Sequence, residues 1–185
     1  LFLDGKDSGL KDAPKLINKF KEKTIKLSYQ LATLIGRDFA MDRDNRWDYT
    51  RKAYLLLANA LGEKISDISA LNKYYEGGII NDNTIPPLVF ENSDFRGINE
   101  GDSLIFFNFR EDAIRQLAGC FIDKQSIHIE TKEIKNLYTA SMTRYFDHQQ
   151  AAVAFEPPII NNGLAEVISN NSLGQLHITE SEKYT

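Results

Sequence analysis

Apolar positions recur along this chain in two periods. After Asp12-Ala13-Pro14, Leu16, Ile17 and Phe20 follow at helical spacing. A capping aspartate and an early proline mark a helix start, so the pattern predicts an amphipathic helix over 12–23. Ile25, Leu27, Tyr29 and Leu31 alternate, which predicts a strand. From Asp48 to Leu61 the apolar positions Ala53, Leu56, Leu57, Ala60 and Leu61 predict a helix ended by Gly62. Ser66 is placed to cap another helix, running through Leu71 and Tyr74 to Gly77-Gly78. Leu88-Val89-Phe90 follows two prolines and reads as a short strand. Ser103 to Phe109 holds Leu104, Ile105, Phe106 and Phe107 in a row, the pattern of a central strand covered on both faces. A helix is predicted from Glu111 to Phe121, strands over 137–142 and 153–155, a helix over 162–169 and a last strand from Gln175 to Thr179. Alternating strands and helices predict an α/β fold, a layered sheet flanked by helices, in one domain over 1–185.

Composition narrows the function. Twenty-two basic residues against 26 acidic ones give a net charge of −4, which argues against a nucleic-acid partner, since that needs a broad positive face. No apolar run approaches the ~18 residues of a membrane span. The one cysteine, Cys120, sits in an apolar helical stretch and reads as a buried small hydrophobe; this fits a reducing, cytoplasmic setting. The chain opens on the apolar strand Leu1-Phe2-Leu3 and closes directly after another predicted strand. Both ends therefore read as cuts in a longer protein.

Four segments place charge where a strand should end, and α/β sheets bind ligands beyond the carboxyl ends of their strands. The first is Leu3-Asp4-Gly5-Lys6-Asp7, a tight turn with one cation and two further carboxylates. The second runs from Gly36 to Asp48 and interleaves Arg37, Arg43 and Arg46 with four aspartates and with Phe39, Met41 and Trp47. Guanidinium forks match carboxylate and phosphate oxygens; the competing reading is a solvated charge run with Asp44 or Asn45 as helix cap. In the third, Asn108 and Arg110 leave the apolar run, and Arg110 needs an anionic partner, either Asp112 or a ligand. The fourth, Glu182-Lys183, carries no signal alone. His128, His148 and His177 lack metal-ligand spacing, and neither a glycine-rich phosphate loop nor a nucleophile elbow is present.

The run from Gly36 to Asp48 closely resembles the signature of the cofactor-independent (2,3-bisphosphoglycerate-independent) phosphoglycerate mutases. Phe2-Leu3-Asp4-Gly5-Lys6-Asp7 resembles the family's strand-and-turn motif, with Lys6 where arginine is usual. Phe107-Asn108-Phe109-Arg110 is similar to its next signature. The closing run from Gly163 to Tyr184 resembles the segment that leads back into its phosphatase domain.

The resemblance implies most of the inserted phosphotransferase domain of an alkaline-phosphatase-type enzyme that interconverts 2- and 3-phosphoglycerate. It implies two divalent metals, manganese or magnesium, in a phosphatase domain absent from this chain, with no metal site or cofactor in the chain itself. It further implies a monomer that takes a small-molecule substrate. By position, Arg37, Arg43 and Arg110 grip the carboxylate and phosphate, and Lys6 replaces a substrate-contacting arginine. Asp7 handles the glycerate hydroxyl proton as the catalytic residue, and Lys183 contacts the transferring phosphate. The family's second arginine, three residues after the one matched by Arg110, is Ala113 here. Arg115 is turned about 200° from it on a helix and does not substitute. A non-catalytic domain that binds small anions, in a degenerate homologue, is the alternative.

Overall fold

The computed structural model describes residues 1–178. It is built on two sheets with helices packed against them. The first sheet has the order β1-β2-β4-β3, with β1 Phe2–Leu3, β2 Thr33–Gly36, β3 Glu63–Ile65 and β4 Leu88–Phe90. β1 pairs with β2 in parallel and β3 with β4 in parallel, while β2 and β4 run antiparallel. The second sheet is parallel throughout, in the order β5-β6-β7, with β5 Ser103–Phe106, β6 Tyr138–Ser141 and β7 Ala152–Val153.

Strand alternation sends successive side chains to opposite faces, and β2 uses this to build two cores. Leu34 joins Leu3, Ile17, Leu71, Ile85 and Leu88, on the face covered by α1 (Ala13–Lys23) and α4 (Leu71–Glu76). Ile35 points the other way, toward Tyr54 and Leu56 of α3 (Trp47–Asn59) and Ile114 and Leu117 of α5 (Glu111–Ile122). Phe106 of β5 enters this second cluster, so one body of apolar side chains joins both sheets. Cys120 lies within it, and burial pushes its thiol up to about 12. The expected packing cysteine is therefore what the fold contains.

The predicted helices over 12–23 and 111–121 and the strands at 88–90 and 137–142 are present, with ends moved by a residue or two. Helix α6 (Leu164–Asn170) overlaps the segment predicted for it with its ends moved by a residue or two, and strand β7 shares only Val153 with its predicted segment.

Five expectations are corrected. The alternating segment 25–31 is a loop whose Ile25 and Leu27 are exposed, because the sheet position beside β4 is taken by Thr33–Gly36. The strands covered on both faces are β2 and β4, not the 103–109 run. β5 stops at Phe106 on a sheet edge and leaves Ile105, Phe107 and Phe109 exposed, because α5 covers only its other face. Helix α3 ends before Gly62, at Ala60 in the left-handed conformation with φ 52°. Asp67, not Ser66, caps the 3-10 turn Ile68–Ala70 that leads into α4, by accepting from the Ser69 N–H. Residues 175–178 form no strand; Thr179 lies outside the described residues. Strand β3 had no prediction, since only Ile65 of its three residues is buried.

Candidate active site

Because β1 and β2 are parallel, their carboxyl ends leave the sheet side by side. Asp4 to Asp7 follow one, and the short helix α2 (Arg37–Ala40) opens at the other. Their close fit depends on Gly36. A Cβ there would lie 2.1 Å from the Asn83 carbonyl oxygen, in the 3-10 turn Asp82–Thr84 that braces the strand ends. Gly5 needs its lack of a side chain twice, with φ +68° and with a Cβ position 2.7 Å from Asn81 Oδ1.

Arg37 Nη1 donates to Asp4 Oδ1, and to Asp7 Oδ2 at 2.8 Å. Burial works to lower the Arg37 pKa, but its hydrogen bonds to Asp7 and Asp4 outweigh it and raise it. Burial likewise works to raise the Asp4 pKa; the bond from Arg37 and the Ser8 and Asp7 N–H groups outweigh it and hold the carboxyl below its ordinary range. Lys6 Nζ donates to Asp38 Oδ1 at 2.6 Å, while Asp38 Oδ2 accepts from Asn83 Nδ2 at 2.6 Å.

A second set centres on Asp112, in the first turn of α5. Arg43 Nη1 donates to its Oδ2 at 2.6 Å, and Arg110 binds it through Nε at 2.7 Å and Nη2 at 3.1 Å. Burial works to raise the Asp112 pKa, and the two guanidinium groups overcome it. Arg110 is raised first by its hydrogen bonds to Asp112. It also feels the charges of Arg37 and Asp7, the first opposing its own charge and the second supporting it. The two sets thus share one electrostatic neighbourhood at the rim of the strands.

Asp7 and Arg37 are therefore brought together, Lys6 pairs beside them with Asp38, and Arg43 meets Arg110 on Asp112. Lys183 lies outside the described residues. Arg115 is turned away, its Nε donating to the Tyr145 carbonyl at 3.0 Å, and Ala113 is buried. Neither Asp44 nor Asn45 caps α3. The N-cap position falls on Arg46, with no side-chain cap, and buried Asp42 anchors that residue by accepting from the Arg46 N–H at 2.9 Å and from Arg46 Nε at 2.6 Å. The aromatic residues of the run are packing groups: Phe39 stacks on Tyr49 and Trp47 meets His128 edge-on.

Sequence reasoning missed Asn83, which lies in a polar stretch with nothing to mark it. It also missed Gln116, whose one available signal is its spacing of one helical turn after Asp112.

Clustered guanidinium groups on a strand rim, each held by a carboxylate, suit recognition of a small molecule with more than one anionic group. A family model described as BPG-independent PGAM N-terminus matches residues 1–147. The chain belongs to the BPG-independent PGAM N-terminus family. It is 36% identical over 184 residues to the 2,3-bisphosphoglycerate-independent phosphoglycerate mutase of Staphylococcus epidermidis and 36% identical over 185 residues to that of Staphylococcus aureus. Each match covers 99% of this chain and 36% of the relative's length. The fold is shared with a crystal structure of Leishmania mexicana phosphoglycerate mutase at low cobalt concentration. There the TM-score is 0.76, with 18% identity, over 91% of this chain and 33% of the other.

Proposed function

We propose that this chain is the substrate-binding part of a phosphoglycerate mutase, a single phosphotransferase domain within a longer, monomeric, cytoplasmic glycolytic enzyme. The observation that carries this reading is that Arg43 meets Arg110, from a distant segment, on Asp112, with the Arg37–Asp7 pair within electrostatic reach of Arg110. A phosphoglycerate presents a carboxylate and a phosphate, and fixed cations orient both and offset their charge. Each guanidinium has five N–H donors. Arg43 and Arg37 each commit one nitrogen to the carboxylates named above, which leaves donors to face a ligand.

Asp7 is the exposed member of the first set, its side chain 83% accessible, with Arg37 fixing one oxygen. That suits it to take and return the glycerate hydroxyl proton while phosphate moves between the 2- and 3-oxygens. Lys6 adds a point charge in place of a fork; the phosphate-contacting role that the resemblance implies for Lys183 falls outside the described residues.

Among the described residues no group of three or more His, Cys, Asp or Glu side chains is arranged to hold a metal ion. The two divalent ions, manganese or magnesium, would belong to a phosphatase half of the longer enzyme. No helix among the described residues is long and apolar enough to cross a membrane.

The test is Arg43→Ala in the full-length protein. Mutase activity is expected to fall by roughly a hundred-fold or more with an unchanged circular-dichroism spectrum. Activity within a few-fold of wild type removes Arg43 from the site. Wild-type protein that binds 3-phosphoglycerate without converting it supports the alternative of a non-catalytic anion-binding domain, which the buried Ala113 in place of an arginine favours.

A further inference from the structure

Arg43 reaches Asp112 from a part of the chain 69 residues away, and its own side chain is 40% exposed. The Arg43–Asp112 contact alone does not set where its backbone stands. The residues on either side of Arg43 are held by one side chain. Gln116 lies one turn beyond Asp112 on α5 and therefore on the same helix face. Its Oε1 accepts from the Asn45 N–H at 3.0 Å. Its Nε2 donates to Asp42 Oδ2 at 3.1 Å and to Thr50 Oγ1 at 2.9 Å.

Asp42 and Asn45 bracket Arg43, and Thr50 belongs to α3. One amide thus ties the Arg43 turn, α3 and α5 together. Asn45 stands at φ 57°, in the left-handed region that asparagine enters more readily than most residues, and the Gln116 bond to its N–H helps to hold it there. The partners are themselves fixed: Asp42 is 2% exposed and Thr50 1% exposed.

We propose that Gln116 is a positioning residue for substrate binding, holding Arg43 in register with Asp112 and Arg110; this rests on the functional reading above. The role requires two donors and one acceptor at the tip of a side chain of this length. A glutamine has them, a glutamate lacks the donors and would set a second carboxylate against Asp42, and a methionine has neither. Gln116 makes no hydrogen bond to Lys6, Asp7, Arg37, Arg43 or Arg110 among the described residues, so it acts through the Arg43 turn.

The experiment is a pair of double-mutant cycles in the full-length protein, read as the calorimetric Kd for 3-phosphoglycerate. Gln116→Met is expected to weaken binding by about ten-fold, the scale of losing a hydrogen bond to a charged group. It is expected to cause no further weakening when Arg43 is already alanine, and full additivity with Lys6→Ala. Thr50→Val, which keeps the shape of the side chain and removes only an acceptor for the amide, serves if Gln116→Met does not fold. It is expected to give a smaller loss with the same dependence on Arg43. Equal losses in the Arg43 and Lys6 backgrounds, or an unchanged Kd, overturn the proposal. Wild-type protein that does not bind 3-phosphoglycerate overturns the functional reading instead, and that outcome is read before any variant is compared.

Discussion

A carboxylate held by two guanidinium groups is worth more to the folded state when charged than when protonated, and Asp112 is such a group. Burial alone would raise its pKa. The hydrogen bonds from Arg110 and Arg43 bring it below its ordinary value of 3.8. The sign follows from linkage: a depressed native pKa means that the unfolded state takes up the proton first as pH falls. Asp112 therefore contributes its full stabilisation above about pH 4 and loses it as pH drops through the lowered native value. Asp112→Asn in the full-length protein is expected to lower Tm at neutral pH and to flatten the part of the acid limb below about pH 4. A pH–Tm curve that superimposes on wild type would show that the ion pairs contribute nothing. The individual arginines of this site were legible in the sequence because their density and their aspartate neighbours are unusual. Which carboxylate each one takes was not, since Arg43–Asp112 and Lys6–Asp38 join segments whose separation in sequence carries no local signal.

At the scale of elements, the site depends on how closely the 3-10 turn Asp82–Thr84 packs against the end of β2. Gly36 leaves the strand just where the Asn83 backbone crosses it, with no space for a methyl group. The neighbour is a carbonyl of the main chain, so it cannot rotate aside. Gly36→Ala is expected to destabilise the protein by about 1–3 kcal/mol, the range for overpacking, and to disturb Arg37, the next residue; a denaturant melt reads the first effect and 3-phosphoglycerate affinity the second. The same turn starts α1 from a distance. Asp82 Oδ2 accepts from the Ala13 N–H at 2.8 Å, while Asp12, which the sequence marks as the cap, makes no such bond. Elements with their own periodicity, such as α1, α3 and α5, were readable because an amphipathic helix carries its buried face in its spacing. The 25–31 segment and β5 were misread because alternation and apolar runs report only that side chains are apolar. Whether a neighbour covers them is decided elsewhere in the chain.

At the scale of the whole molecule, the site is close to neutral before any ligand arrives. The four cations Lys6, Arg37, Arg43 and Arg110 face the four carboxylates Asp4, Asp7, Asp38 and Asp112, on a chain whose formal charge is −4. The carboxylates hold the cations in place at the rim, so the ordering of flexible side chains is done before binding. They also oppose an incoming anion. Binding then requires an exchange, in which ligand oxygens take up guanidinium donors that the aspartates leave unused or give up. Such an exchange is exposed to solvent, since the Arg43 and Arg110 side chains are 40% and 59% accessible, and it is therefore screened by salt. Raising ionic strength from about 0.01 M to about 1 M shortens the Debye length from about 30 Å to about 3 Å. Over that range the affinity for 3-phosphoglycerate is expected to fall steeply, and that for glycerate, which has only the carboxylate, to fall much less. Arg110→Ala is expected to reduce the 3-phosphoglycerate slope toward that of glycerate. Equal salt slopes for the two ligands on the wild-type protein would mean that the phosphate does not engage these cations, and the convergence of Arg37, Arg43 and Arg110 would then serve only to hold the strand ends together.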